Sequence, residues 1–129
     1  MNHNAGRTLS AHSISKSFGD VHALDGVSID IPAGQSVSIM GPSGSGKSTL
    51  LHCLAGILRP DAGDVTLGDE PVSLSSDAAR SRIRLERMGF VFQDGQLLPE
   101  LPAIENVALP LLLLGRPRAE AFGRAADWL

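Results

Sequence analysis

The sequence predicts an α/β fold in which a glycine-rich loop joins a buried strand to a helix. Three observations carry this. Gly41-Pro42-Ser43-Gly44-Ser45-Gly46-Lys47-Ser48 satisfies the pattern G-x-x-x-x-G-K-[ST] at every fixed position. Ser36-Val37-Ser38-Ile39-Met40, just before it, is apolar and β-branched, as a buried strand is. Leu50, Leu51, Leu54, Ile57 and Leu58, just after it, recur at helical spacing. Strand, loop and helix in that order is the setting in which the pattern acquires a structure.

The remaining elements follow along the chain. Residues 1–7 are polar and unpatterned and read as a flexible tail; residues 8–129 read as one domain. Leu9, Ala11 and Ile14 suggest a first strand between Thr8 and Phe18. Val27, Ile29 and Ile31 alternate with Ser28 and Asp30, the period of two of a second strand. Pro32-Ala33-Gly34 is a turn into the strand before the loop. The helix after the loop runs to about Leu58, where Arg59-Pro60-Asp61-Ala62-Gly63 stops it. Val65, Leu67 and Val72 make a short strand or hairpin around Gly68-Asp69.

Ser76 to Arg87 is a polar helix with Ser76 as its N-cap. Its Arg80, Arg82, Arg84 and Arg87 read as a solvated face rather than a phosphate-contacting patch, because Glu86 stands among them and the chain is acidic overall. Met88-Gly89-Phe90-Val91-Phe92 is a buried strand with Gln93 at its carboxyl end. Open α/β sheets bind ligands outside the carboxyl ends of their strands, which puts Gln93 and Gly41 on one rim. Asp94 to Glu100 is a turn-rich loop. Pro102 to Leu114 is a helix, opened by Pro102, kinked by Pro110 and ended by Gly115. Ala119 to Leu129 is a last helix with Phe122, Ala126 and Leu129 on one face.

The loop residues suit a polyphosphate. A triphosphate needs many donors at close range. Gly41, Gly44 and Gly46 lack a Cβ, so the backbone can curl and present successive N–H groups as an anion nest. The following helix points its positive dipole end at the same place. Lys47 supplies a mobile full charge, and the Ser48 hydroxyl is a hard oxygen ligand suited to Mg²⁺.

Composition bounds the other possibilities. Of the 129 residues, 43% are hydrophobic and 19% charged, an ordinary globular balance. A net charge of −3 gives no reason to expect a nucleic-acid partner. A single cysteine, Cys53, excludes an internal disulfide framework and reads as a small buried hydrophobe. Met1 to Ser10 shows no secretory signal, and the apolar run Ala108–Leu114 contains Pro110 and is too short to span a bilayer. A cytoplasmic location is expected.

The chain resembles the amino-terminal half of an ABC transporter ATP-binding subunit. Three stretches carry the resemblance: Gly41 through Thr49 in the family's usual wording, Met88-Gly89-Phe90-Val91-Phe92-Gln93 like the strand into the family's Q-loop, and Leu97-Leu98-Pro99 through Ile104-Glu105-Asn106-Val107 like the segment after it. Lys47 and Gln93 are 46 positions apart, which also agrees. The Leu-Leu-Pro and Glu-Asn-Val wording is nearest to the macrolide-export and lipoprotein-release branch.

The resemblance implies a P-loop NTPase core, a RecA-like ABC ATPase domain, with the start of its helical subdomain within residues 8–129. It implies that Gly41, Pro42, Ser43, Gly44, Ser45, Gly46, Lys47, Ser48 and Thr49 hold ATP, that Ser48 and Gln93 approach Mg²⁺, and that Phe18 stacks on adenine. A plain core Phe is the alternative for Phe18. The loop Asp94–Leu101 would face a transmembrane permease subunit, and a second ATP-binding subunit would complete a dimer. The complete protein would power transport, of export type, by ATP hydrolysis, peripheral on the inner face of the cell membrane.

The sequence departs from the family in one respect. It contains no apolar run ending in Asp-Glu, no Leu-Ser-Gly-Gly-Gln signature and no downstream His switch, and His52 does not match the switch. The expectation is a domain truncated before the signature and the Walker B strand, with no catalytic carboxylate identified. Negligible hydrolysis by these residues alone, poor solubility and mobile final helices are expected with it. A standalone, non-catalytic nucleotide-binding or regulatory module is the alternative. A small kinase or GTPase is a third reading, for which no substrate-binding or base-reading motif is visible.

Overall fold

Alternating apolar residues between Leu9 and Ile31 fold as a long hairpin in the computed structural model, which describes residues 7–129. Strands β1 (Leu9–Phe18) and β2 (Val21–Ile31) pair antiparallel from Leu9↔Ile31 to Phe18↔Val21. The other edge of β1 pairs antiparallel with β3 (Ala62–Leu67), which in turn pairs with β4 (Glu70–Pro71), giving the order β2-β1-β3-β4. Strand β1 does not keep a strict period of two. Ser13 adopts φ 48 at a register shift, and its N–H donates to the Ser28 hydroxyl at 2.8 Å. The irregularity lets Ala11 and Ile14, three residues apart, both be fully buried.

Helix α1 (Lys47–Leu54) packs on β1 and β2 and buries Leu50, Cys53 and Leu54. It is shorter than its apolar spacing suggests. Gly56 turns left-handed at φ 70, and the amides of Gly56 and Ile57 bond back to Cys53 and His52 at 3.1 and 2.9 Å, a pairing that closes a helix. Ile57 and Leu58 therefore lie beyond it. Cys53 sits in the core, where burial pushes its thiol above the usual range.

Helix α2 (Asp77–Arg87) is capped as expected: the Ser76 hydroxyl accepts the Ala79 N–H at 3.2 Å. Its arginines are not simply a solvated face. Arg84 donates to the Gly56 carbonyl at 2.6 Å. Arg80 is only 9% exposed and pairs with Asp77, while its Nε and Nη1 have no hydrogen-bond partner among the described residues. Buried donors without acceptors cost stability, and the Asp77 side chain is 93% exposed, so water would satisfy it alone. Arg80→Met is therefore expected to stabilise the protein by about 1 kcal/mol, a melting temperature higher by roughly 4 °C. A lower melting temperature would show that the packing of the guanidinium outweighs its unmet hydrogen bonds.

The chain divides into two units, one ending at Arg84 and the other spanning Leu85–Leu129. In the second, α3 (Ala103–Leu113) and α4 (Arg118–Trp128) pack through Ala108, Ala121 and Ala125, with Ile104, Leu111 and Phe122 around them. The buried face of α4 is thus centred on Ala121 and Ala125 with Phe122 beside them, while Ala126 and Leu129 are exposed. Small side chains let two helix backbones approach closely, and Leu129 stays exposed. Asn106 on α3 fixes the preceding loop, accepting the Leu98 N–H at 2.8 Å and donating to the carbonyls of Leu98 and Leu101 at 3.0 and 3.1 Å.

Two expected strands do not form. Ser36–Met40 and Met88–Phe92 lie outside helices and strands, with Met40 88% and Val91 94% exposed. A strand exists only through its ladder, and a parallel strand needs cover on both faces. The sheet among the described residues is antiparallel and takes in neither segment. Of the expected tail, residues 1–6 lie outside the described residues, and Arg7 makes an ion pair with Glu70 at 3.0 Å. Among the described residues no helix is long and apolar enough to cross a membrane.

Candidate functional site: a phosphate-binding loop

The glycine-rich loop turns into α1 at Gly46, whose φ of 92 lies in the left-handed region. A Cβ there would strike the Ala23 carbonyl oxygen and lie 3.3 Å from the Leu24 side chain. The loop thus rests on the backbone of β2, and only glycine fits the contact. Gly44 is also left-handed at φ 81. At Gly41 a Cβ would come within 2.8 Å of the Ser45 hydroxyl.

Lys47 folds back over the loop. Its ammonium donates to the carbonyls of Gly41 and Pro42, both at 2.7 Å, and to the Ser45 hydroxyl at 3.2 Å. Helix α1 has no side-chain cap and no acidic residue in its first turn. Its first backward bond runs from Leu50 N–H to the Gly46 carbonyl at 2.9 Å. The earlier amides of the turn are left for an external acceptor. Ser48 and Thr49 stand on that turn, Ser48 exposed. Backbone donors, a helix amino end and a lysine ammonium at one point fit a polyphosphate.

Phe18 ends β1 at the tip of the hairpin. It is 49% exposed, so it is not the core residue that the alternative reading describes. The Lys16 ammonium lies 5.6 Å from its ring centre. Asp61 bonds to three consecutive residues nearby: its N–H donates to the Ser15 carbonyl at 2.8 Å, and its carboxylate accepts the Ser17 N–H at 2.8 Å and the Lys16 ammonium at 3.2 Å. The Ser17 amide and the Lys16 charge hold the Asp61 carboxyl below the usual range, so it stays ionised at neutral pH.

Phe18 and the whole loop from Gly41 to Thr49 belong to the first unit, and Gln93 belongs to the second. Gln93 is exposed and follows Met88–Phe92; the nearby turn is closed by the Gly95 N–H on the Phe92 carbonyl at 3.2 Å. Among the described residues no group of three His, Cys, Asp or Glu side chains could hold a metal ion. Sequence reasoning missed the β2 carbonyl under Gly46 and the role of Asp61, which reads in sequence only as a turn residue. A backbone contact between distant residues leaves no residue-type signal.

Comparison with known proteins gives the chain a family. The family profile described as ABC transporter matches residues 24–129. The lipoprotein-releasing system ATP-binding protein LolD 2 of Caulobacter vibrioides is 50% identical over 111 residues, which are 86% of this chain and 49% of that protein. The LolD protein of Cytophaga hutchinsonii is 46% identical over 121 residues, 94% of this chain and 55% of its own length. The chain therefore spans about half the length of the curated relatives it matches. A dimeric bacterial ABC transporter cassette superposes with a TM-score of 0.85 at 36% identity, over 92% of this chain and 54% of the other. The same cassette in a post-hydrolysis dimer bound to ADP and Pi superposes with a TM-score of 0.84, again at 36% identity over 92% and 54% of the two chains.

Proposed function

The chain belongs to the ABC transporter family, and from that premise we propose that it binds ATP as part of a subunit that powers transport, of the lipoprotein-releasing kind. The observation that carries the reading is the Lys47 ammonium held over the carbonyls of Gly41 and Pro42 at the uncapped amino end of α1. There the charge and the free amides can pass to phosphate oxygens without rebuilding the loop. Two kinds of relative support it: the LolD proteins, named as ATP-binding, and the cassette bound to ADP and Pi.

In this reading the backbone from Gly41 to Thr49 and Lys47 hold the phosphates, and Phe18 offers its ring face to adenine. Ser48 and Gln93 are the residues that would meet Mg²⁺, which shields phosphate charge and is commonly held by one or two protein oxygens together with the phosphates. The loop Asp94–Leu101, pinned by Asn106, would meet a membrane-embedded permease, and a second ATP-binding subunit would close the site. That arrangement is peripheral on the inner face of the cell membrane. The activity, cargo and partners of the whole protein all belong to this proposal.

Calorimetric titration with ATP and Mg²⁺ tests it. Saturable binding at one site per chain, displaced by ADP and by inorganic tripolyphosphate, is expected. No heat at millimolar ATP, with the fold intact by circular dichroism, would overturn it.

A further inference from the structure

Strand β1 pairs with β3 only as far as Ser15↔Ala62, and its register against β2 shifts between Lys16 and Ser17, just before Phe18. On the β3 edge the next amide, that of Ser17, has no ladder partner. Here the Ser17 N–H is taken instead by the Asp61 carboxylate at 2.8 Å, and the same carboxylate anchors the Lys16 ammonium at 3.2 Å. The Lys16 side chain is 18% exposed, and its charge sits 5.6 Å from the Phe18 ring centre. On the other side the Ser17 hydroxyl shares a 2.8 Å hydrogen bond with His22 Nδ1. Asp61 comes from the turn between α1 and β3, far in sequence from the hairpin it holds.

We propose that Asp61 is a positioning residue for Phe18: through the Ser17 amide and the Lys16 ammonium it fixes the end of β1, keeping the cation on one ring face and leaving the exposed part of the ring for a flat aromatic base. The inference rests on the reading of Phe18 as the base-stacking residue. Without the carboxylate, the Ser17 amide returns to water and Lys16 leaves the ring, while the pairing of Ser17 with His22 and of Phe18 with Val21 stays. The phosphate loop rests on β2 at Ala23, which this loosening of the opposite edge of β1 leaves in place, so the effect falls on the base and spares the phosphates.

The test compares ATP with inorganic tripolyphosphate, which lacks a base, on the full chain. Asp61→Ala is expected to weaken ATP binding by about five-fold and to leave tripolyphosphate within about two-fold. Phe18→Ala sets the ceiling for base-dependent loss, roughly 5- to 100-fold, and the double variant should bind ATP no more weakly than Phe18→Ala. If Asp61→Ala fails to fold, Asp61→Asn decides. It keeps an acceptor for Ser17 and removes the charge that holds Lys16, and a loss of about two-fold confined to ATP is expected. Equal weakening of both ligands, or no change in either, overturns the inference. A Phe18→Ala protein with unchanged ATP affinity would instead overturn the stacking role on which it rests.

Discussion

Lys47→Ala is expected to weaken ATP binding on the order of 100-fold, and to remove the rise in melting temperature that ATP confers on the unchanged protein. The size follows from what the ammonium does without a ligand. It already holds two carbonyl oxygens at 2.7 Å, so its position is prepared and little ordering remains to be done. On binding, neutral carbonyl acceptors are exchanged for charged phosphate oxygens. Hydrogen bonds to charged groups contribute about 1.5–3 kcal/mol each, and one or two of them give the stated factor. The loop should survive the loss, because Gly41 and Pro42 are exposed and water can take over their carbonyls. Stability without ligand should therefore change by no more than about 1 kcal/mol. Lys47→Arg keeps the charge, but its planar fork cannot repeat two convergent contacts, and an intermediate affinity is expected. An alanine variant that binds ATP within about two-fold of the unchanged protein would show that the backbone nest alone carries the affinity.

How far the sequence could be read depended on whether a signal was local. The first two strands, the hairpin around Gly68-Asp69, the Ser76 cap, the helix opened by Pro102 and the glycine-rich loop follow from residue type at fixed spacing and form, although the second strand starts at Val21, earlier than its alternation shows. The end of α1 was misplaced because an apolar spacing through Leu58 outweighed one glycine, whereas Gly56 at φ 70 closes the helix by backbone geometry that periodicity ignores. The two segments Ser36–Met40 and Met88–Phe92 failed for a different reason. Their composition says only that they suit a ladder, and a ladder also needs a neighbour, which lies elsewhere in a chain. Ala121 and Ala125 carry the buried face of α4 for the opposite cause: the spacing of bulky residues points to Phe122 and Leu129, while close helix packing selects small ones. The site divides in the same way. Lys47, Ser48 and the glycines were legible as a motif, but the β2 backbone that supports them was not.

That support makes the second large prediction. Gly46→Ala is expected to destabilise the protein by about 3 kcal/mol and to abolish ATP binding, whereas Gly44→Ala in the same loop should cost about 1 kcal/mol. Both positions are left-handed, at φ 92 and 81, so both pay the same kind of backbone strain when a Cβ is added. They differ in what the methyl meets. At Gly44 nothing lies within 4 Å. At Gly46 the methyl lands on the Ala23 carbonyl, with the buried Leu24 side chain 3.3 Å away. Backbone cannot step aside as a flexible side chain can, so the loop must lift off β2 or β2 must leave β1. Either movement displaces Lys47 and the first amides of α1, since Gly46 is the residue that joins them to the loop. The difference between the two variants therefore measures the contact with β2, free of the strain common to both. Equal melting temperatures and equal ATP affinities for the two would mean that the loop keeps its shape without resting on the strand.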